Sequence, residues 1–199
     1  MSTLTEKKSG LKGWSTRDLL VTAVIGIIFG LLTAPLHLLV TSVEMFASPI
    51  ASRIVVGVFF IPGFMVPYII RRPGSAILGT IILCLVQVPI NPYGWGVLAM
   101  IITNGVPMEI AFLVTRYKKF SYAMMMITGA LVIIPGYTAH AVSFGYANLP
   151  PVVVIVGGLV AIVSTAVLGG ALAKALADQI AQTGVLNSFA IGQANQEEI

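Results

Sequence analysis

Glu109 is the side chain in this sequence with the strongest case for a chemical role. It lies in the apolar run Val106-Pro-Met-Glu-Ile-Ala-Phe-Leu-Val-Thr115, where no polar break gives its carboxylate access to water. A carboxylate at bilayer depth costs about 2.5–3.5 kcal/mol by insertion scales. Such a residue needs a partner, so we expect either a cationic or proton-donating ligand, or free backbone N–H groups at the start of a helix.

The segment Asn104-Gly-Val-Pro-Met-Glu109 interrupts this apolar run. Proline favours the first turn of a helix, Asn is a good helix cap, and an acid in the first turn meets the positive end of the helix dipole. The pattern predicts a helix that is broken or kinked and restarts near Pro107. Broken helices at membrane depth often frame the substrate sites of transporters, so Asn104 joins the candidate site.

Other polar and aromatic side chains complete the predicted site, each with a structural alternative. Tyr137 and His140 share a helical face at three-residue spacing, and such a pair suits a heteroaromatic ligand. The alternatives are an interfacial belt for aromatic loop residues, core packing for Phe59 and an interfacial contact for His140. The predicted substrate-binding residues are Glu109, Asn104, Gln87, Tyr137, His140, Trp95, Tyr93 and Phe59.

The elements that position these residues are transmembrane helices. The chain is 57% hydrophobic and 9% charged, with a mean hydropathy of +0.98, whereas soluble domains carry about 25% charged residues. A span needs about 20 apolar residues. We predict an all-α membrane protein that forms one domain over 1–199, with six spans at roughly 18–40, 53–70, 74–90, 94–115, 121–143 and 150–173.

The basic residues predict the orientation of these spans. With six spans, ten of the eleven Lys and Arg residues fall on one face, and Arg53 alone falls on the other. The positive-inside rule then places both termini in the cytoplasm, with segments 1–17 and 175–199 on that side. The connections on the outer face, including 41–52, 90–96 and 143–151, are longer and richer in aromatic residues than those on the cytoplasmic face. This composition favours loops that act as a lid and cover a cavity.

Several classes of function are disfavoured by the residues that the sequence lacks. It contains no phosphate-binding Gly-rich loop with a Lys, no Ser–His–Asp set and no His-Glu-x-x-His motif, so we expect neither an enzyme nor a resident cofactor or metal. Cys84 is the single cysteine and is expected to be a small buried apolar residue. The net charge of +4 reflects membrane topology, since the basic residues are not interleaved with a stacking face for nucleic acid.

The combination of size, six spans and several short motifs resembles the YkoE type of substrate-binding S components of energy-coupling factor (ECF) vitamin transporters. The motifs are Ile69-Ile-Arg-Arg-Pro-Gly74, Met108-Glu-Ile-Ala-Phe-Leu-Val-Thr-Arg116 and Thr183-Gly-Val-Leu-Asn-Ser-Phe-Ala-Ile-Gly192. The resemblance implies a bacterial inner-membrane protein that captures thiamine or its hydroxymethylpyrimidine part from outside. It also implies docking on a transmembrane coupling protein that is driven by two ATPase subunits.

The resemblance also suggests a docking surface. Small residues on the first helix of S components contact the coupling protein, and the matching positions here are Gly26, Gly30 and Ala34. Small residues at four-residue spacing also let two helices of one chain approach closely, so packing within the chain is the alternative.

Two competing hypotheses remain open from the sequence. In a small cation permease or channel, Glu109 with His37 or His140 would coordinate the ion. Metal-binding S components resemble each other in carrying a histidine just after the initiator Met, where this chain has Ser2. In a structural membrane subunit without a ligand, Glu109 would only cap its helix.

Overall fold

The computed structural model describes residues 14–46, 48–187, 189 and 191, and within them the chain contains only helices, turns and bends. The helices are α1 (Thr16–Phe46), α2 (Pro49–Ile70), α3 (Ser75–Gln87), α4 (Gly94–Val114), α5 (Tyr122–Ser143) and α6 (Pro151–Gln182). This arrangement confirms the all-α prediction. Large apolar side chains such as Leu32, Leu39 and Leu131 are at least 60% exposed, as expected of surfaces that face lipid.

Five of these helices are long and apolar enough to cross a membrane, and α3 is shorter. At 13 residues, α3 rises about 20 Å, less than the roughly 30 Å of a hydrocarbon core. Its residues Ala76 and Cys84 are fully buried among the longer helices. A span count of six therefore remains a prediction.

The two ends of the helical bundle differ in charge. We call the end that holds Phe46, Pro49, Gly94 and Ser143 the cavity end, and the opposite end the basic end. Seven of the eight Lys and Arg residues that the structure describes lie at the basic end: Arg17, Arg71, Arg72, Arg116, Lys118, Lys119 and Lys174. Lys7, Lys8, Lys12 and Ser2, which entered the sequence argument, lie outside the described residues, as do most of 188–199.

The predicted loop over 41–52 is wrong, because α1 continues as a helix to Phe46 and α2 begins at Pro49. The hydroxyl groups of Thr41 and Ser42 donate to the carbonyl oxygens four residues earlier, at 2.9 and 2.8 Å. Hydroxyl groups satisfied in this way remain compatible with a helix, so the polar residues extend α1 instead of ending it. Glu44 therefore projects from a helix.

Irregular helical turns shape the interior of the bundle. α2 contains a 3-10 stretch at Arg53–Phe60, and π-helical turns occur in α4 at Ile101–Gly105 and in α6 at Thr165–Ala171. Such turns are frequent at functional sites. The Ser164 hydroxyl ties the stretch in α2 to α6, since it donates to Ile54 O at 2.6 Å and accepts from Gly57 N at 3.0 Å.

The small-residue stripe of α1 is covered within the chain. A Cβ built at Gly26 would lie 2.7 Å from Ile82 Cγ2, and one at Gly30 would lie 2.9 Å from Val86 Cβ. Ala34 is 1% exposed. In this structure the stripe therefore lets α3 approach α1, which is the packing alternative that the sequence left open, and it presents no free surface to a partner.

Gly57 allows the closest approach between α2 and α6, so we predict that Gly57→Ala destabilises the protein. The added Cβ would overlap the carbonyl oxygen of Ser164, which belongs to rigid helical backbone. Overpacking of this kind costs about 1–3 kcal/mol. Thermal unfolding in detergent should show a lower midpoint for Gly57→Ala. Gly96→Ala is the matched control, because its Cβ would meet only Tyr93 Cβ at 3.7 Å. Equal midpoints for the two variants would contradict this account of the contact.

Candidate functional site

A cavity of about 490 Å³ opens at the cavity end, between α1, α2, α4 and α5. Its volume lies within the range of small-molecule sites. The irregular turns contribute directly to its walls, since the 3-10 stretch of α2 supplies Arg53 and Phe59 and the π turn of α4 supplies Thr103 and Asn104. The lining is mostly apolar, with a few polar side chains that converge on it.

A continuous chain of aromatic rings surrounds this cavity. His37 stacks on Phe59 with ring centroids 3.9 Å apart, and His140 stacks on Phe144 at 4.2 Å. Edge contacts link these stacks into one series, in the order Phe59, His37, Tyr93, Phe144, His140, Tyr146 and Tyr137. All of these residues except Tyr146 line the cavity. Flat, apolar walls of this kind suit an aromatic ligand.

Glu44 and Arg53 form an ion pair at the edge of the cavity. Arg53 Nη2 lies 2.7 Å from Glu44 Oε1, and their side chains are 7% and 13% exposed. His140 Nε2 lies 3.0 Å from the same oxygen, and the Tyr146 hydroxyl contacts both charged groups. All three protein partners of the carboxylate thus converge on Oε1. Among the described hydrogen bonds none involves Oε2, so this oxygen is available to a ligand.

The Tyr146 hydroxyl remains a donor in this network. Burial is the largest cause that raises the pKa of Tyr146 above the ordinary value for a phenol, and the hydrogen bond to Glu44 is the second. The group therefore stays protonated at physiological pH and donates to the carboxylate. Tyr146 thereby links the turn after α5 to the end of α1.

Several buried polar atoms of cavity residues have no hydrogen-bond partner within the described part of the chain. Among the residues that the structure describes, five buried side-chain atoms lack a hydrogen-bond partner, and three of them belong to cavity residues: His37 Nδ1, Arg53 Nε and Asn104 Oδ1. Buried polar groups without partners are costly, so each such atom calls for an explanation. These three atoms therefore have hydrogen-bonding capacity that the described residues do not use.

Asn104 is held in place by a glycine on the neighbouring helix. A Cβ at Gly136 of α5 would overlap Asn104 Oδ1, so only glycine leaves room for the amide there. The residue does not act as the helix cap that the sequence predicted. The backbone at Gly105 is right-handed helical, with φ −64° and ψ −46°, so the π turn leads into the α-helix without a break.

The structure brings together five of the eight side chains predicted to bind substrate. Asn104, Tyr137, His140, Tyr93 and Phe59 line the cavity. Tyr137 is the least free of these, because its hydroxyl donates to Val154 O at 2.7 Å. Its ring remains available to a ligand. Glu109, Gln87 and Trp95 lie elsewhere.

Glu109 lies at the basic end of the bundle, where it accepts hydrogen bonds from its own chain. Its Oε1 accepts from Gly74 N at 2.6 Å and from the Tyr117 hydroxyl, and its Oε2 accepts from Ala76 N at 3.2 Å. The side chain therefore satisfies free N–H groups at the start of α3, which is a neighbouring helix and not its own as the sequence suggested. Glu109 does not line the cavity, and we assign it no ligand contact below.

The turns that Glu109 joins have unusual backbone conformations. Arg71, Arg116 and Tyr117 have φ of 54°, 51° and 56°, values that non-glycine residues rarely adopt. Burial is the largest cause that raises the pKa of Tyr117 above the ordinary value for a phenol, and the hydrogen bond to Glu109 is the second. The hydroxyl of Tyr117 therefore stays a donor. One carboxylate thus holds together the turn before α3 and the turn after α4.

Gln87 and Trp95 also have local roles. Gln87 is fully buried, where it donates to Thr33 Oγ1 at 2.6 Å and accepts from Asn91 Nδ2 at 3.0 Å. Trp95 is 74% exposed at the start of α4, where an interfacial aromatic side chain is expected. Neither residue lines the cavity, and the position of Trp95 matches the interfacial alternative given for aromatic loop residues.

Sequence reasoning missed the charged centre of the site. The sequence placed Glu44 in the outer connection 41–52 and Arg53 at the start of the following span, and His37 entered only as an alternative cation ligand. The signal that could have found them is the isolation of Arg53, the one basic residue placed away from the others. A basic residue there, nine positions after an acid, is consistent with an ion pair.

The arrangement does not resemble a metal centre. Within residues 14–46 and 48–187, no group of three or more His, Cys, Asp and Glu side chains could hold an ion. Glu109 lies at the basic end, away from His37 and His140 at the cavity, so the cation site suggested by the sequence is not assembled.

Comparisons with known proteins agree with this architecture. Residues 17–135 match the family described as the permease component of an ABC-type cobalt transport system. A protein of Bacillus subtilis (strain 168), provisionally named HMP/thiamine permease protein YkoE, is 33% identical over 92% of each chain. The crystal structure of an S-component of an ECF transporter superimposes with a TM-score of 0.88, at 31% identity over 93% of this chain and 94% of that one.

Glu109→Gln tests the capping role of this side chain. Removing the charge weakens two bonds from backbone N–H groups and one from a phenol, and hydrogen bonds to charged groups contribute about 1.5–3 kcal/mol each at most. We expect a lower unfolding midpoint in detergent. Tyr117→Phe removes one of the three donors and should lower the midpoint less. An unchanged midpoint in Glu109→Gln would contradict the capping role.

Proposed function

The chain belongs to the YkoE-type family of S components of ECF transporters, a family of multi-pass membrane transport proteins, and we propose that it captures thiamine or its hydroxymethylpyrimidine part. The observation that carries this proposal is the cavity of about 490 Å³, with its aromatic walls and the carboxylate of Glu44, of which only one oxygen is hydrogen-bonded to the residues that the structure describes. The name of the B. subtilis relative, which includes HMP and thiamine, supports the same ligand class.

The cavity offers hydrogen-bonding groups that match an aminopyrimidine. This ring carries an exocyclic amine that donates and ring nitrogens that accept. Asn104 Oδ1 is a buried acceptor without a protein partner, and it suits the amine. The stacked pair of His37 and Phe59 provides a flat surface beside it, on which a heteroaromatic ring gains contact area.

The carboxylate of Glu44 suits the second part of thiamine. The thiazolium ring carries a fixed positive charge, and Glu44 Oε2 is the free oxygen of the carboxylate at the cavity. Shielding from water strengthens an interaction between these charges. The faces of Tyr93 and Phe144 could add cation–π attraction. In this proposal Glu44 takes the role that sequence analysis gave to Glu109.

We further propose that the chain crosses the bacterial cytoplasmic membrane six times, with both termini in the cytoplasm. The concentration of basic residues at one end supports this orientation under the positive-inside rule. The cavity end would then face outward, where a captured nutrient arrives. The short helix α3, extended by the turn after Gln87, would be the sixth span.

The transport step would depend on other subunits. An S-component fold implies a membrane-embedded complex, and we propose that a transmembrane coupling protein and a pair of ATPase subunits drive release. We assign no enzymatic step to the cavity, since its polar groups are arranged to hold a ligand and no nucleophile is paired with a base there. Because α3 covers the stripe on α1 in this structure, we propose that the coupling protein docks on another surface.

Isothermal titration with thiamine and hydroxymethylpyrimidine tests the proposal. We expect the purified full chain to bind both, and Glu44→Gln to weaken thiamine binding by about tenfold or more, because a charge-assisted contact is lost. Hydroxymethylpyrimidine, which lacks the cation, should be affected less. Glu109→Gln is the matched control, since it makes the same chemical change away from the cavity.

The outcomes separate the hypotheses clearly. Absence of heat with both compounds, from protein shown to be folded, would exclude the proposed ligand class. Loss of thiamine binding in Glu109→Gln, but not in Glu44→Gln, would return the ligand site to the basic end. Liposome flux of a metal cation without partner subunits would favour a permease.

A further inference from the structure

The fixed charges of the cavity cancel. Among its lining residues, the only Asp, Glu, Lys or Arg side chains are Glu44 and Arg53, and these two are paired with each other. A ligand that carries a phosphate ester would bring a charge of about −1.5 to −2 at neutral pH. The pocket holds no second cation to balance that charge, and the nearest acid would repel it.

Arg53 is not free to serve a phosphate in place of Glu44. Its guanidinium carbon lies 5.6 Å from the ring centroids of both Tyr137 and Tyr146, so aromatic rings hold it in position. Its Nη2 is committed to Glu44 and to the Tyr146 hydroxyl. If Arg53 swung away, Glu44 would be left nearly buried without its counter-ion, which is strongly unfavourable.

One donor of Arg53 does remain free. Its Nε is buried, has no partner among the described residues and belongs to a side chain that lines the cavity. A single N–H group suits a neutral oxygen such as an alcohol, whereas a phosphate needs several donors or cations. Both hydroxymethylpyrimidine and thiamine carry one hydroxyl group, which in each case is the atom that a phosphate ester would occupy.

We propose that Arg53 is a specificity-determining residue whose Nε donates to the hydroxyl of hydroxymethylpyrimidine, and that the Glu44–Arg53 pair rejects the phosphorylated forms of both ligands. This inference rests on the proposed function and adds a selection rule to it. A phosphate ester outside the cell would have to be hydrolysed by a phosphatase before capture. Any phosphorylation of the alcohol would follow transport.

Titration with matched alcohols and esters tests this rule. The probes are thiamine against thiamine monophosphate, and hydroxymethylpyrimidine against its phosphate. We expect each ester to bind at least roughly 100-fold more weakly than its alcohol, because the ester is repelled and the lone donor is mismatched. In Glu44→Gln the gap between ester and alcohol should narrow to about tenfold or less, since the repelling charge is gone and Arg53 is released.

A second variant isolates the Nε donor. Arg53→Lys keeps the positive charge beside Glu44 but removes the Nε–H group. It should weaken hydroxymethylpyrimidine binding by about tenfold, while 4-amino-2,5-dimethylpyrimidine, which lacks the hydroxyl, should bind both proteins with similar affinity. A circular dichroism spectrum and unfolding midpoint matching those of the unsubstituted protein would show that the variant is folded.

Three results would overturn the inference while leaving the proposed function intact. The first is equal binding of alcohol and ester by the unsubstituted protein. The second is a gap between them that does not change in Glu44→Gln. The third is an equal loss of both pyrimidines in Arg53→Lys. Failure of both alcohols to bind would instead contradict the proposed function itself.

Discussion

The ion pair between Glu44 and Arg53 is the interaction on which the cavity end of this protein depends. It joins the last turns of α1 to the 3-10 stretch of α2, and through Tyr146 and His140 it reaches the far side of the bundle. A nearly buried pair of this kind gains little net stability, because desolvation offsets attraction. Its value lies in fixing the positions of one carboxylate oxygen and one guanidinium N–H that have no partner among the described residues.

Glu109 and Glu44, the two acids of the apolar region, lie at opposite ends of the molecule and differ in their hydrogen bonds. Glu109 has both oxygens occupied by groups of its own chain, and so it stabilises the turns that flank α3 and α4. Glu44, which lines the cavity, has its described protein contacts on one oxygen and leaves the other without one. A fully engaged carboxylate has no capacity for a ligand, whereas a half-engaged one does. This difference in hydrogen bonding supports our proposal that Glu109 has a structural role and that Glu44 contacts the ligand.

Much of the fold could be read from the sequence because hydrophobic run length is set by membrane thickness. The positions of the five long helices follow from it to within a few residues at most ends, although α6 continues nine residues beyond 173. The loop over 41–52 was mispredicted because Thr and Ser can satisfy their hydroxyl groups inside a helix. That error placed Glu44 in an outer connection and left Glu109 as the only acid expected within an apolar run.

The site itself could be predicted only in part, for a similar reason. Aromatic residues near helix ends, such as Tyr93, Tyr137 and His140, are recognisable from type and position, and they do line the cavity. Which acid meets which donor depends on the rotation and depth of each helix. Those in turn depend on close contacts such as Gly26 with Ile82 and Gly136 with Asn104, which pair residues far apart in the chain. A single sequence carries no direct record of such pairs.

A crystal structure of the full chain with thiamine bound would show which of the two acids meets the ligand. We expect electron density for the ligand within the aromatic walls of the cavity, with Glu44 Oε2 beside the thiazolium ring and Asn104 beside the aminopyrimidine. We also expect Glu109 to keep its bonds to Gly74 and Ala76. Density for the ligand at Glu109, or in a site that leaves the Glu44–Arg53 pair untouched and the cavity empty, would contradict this proposal.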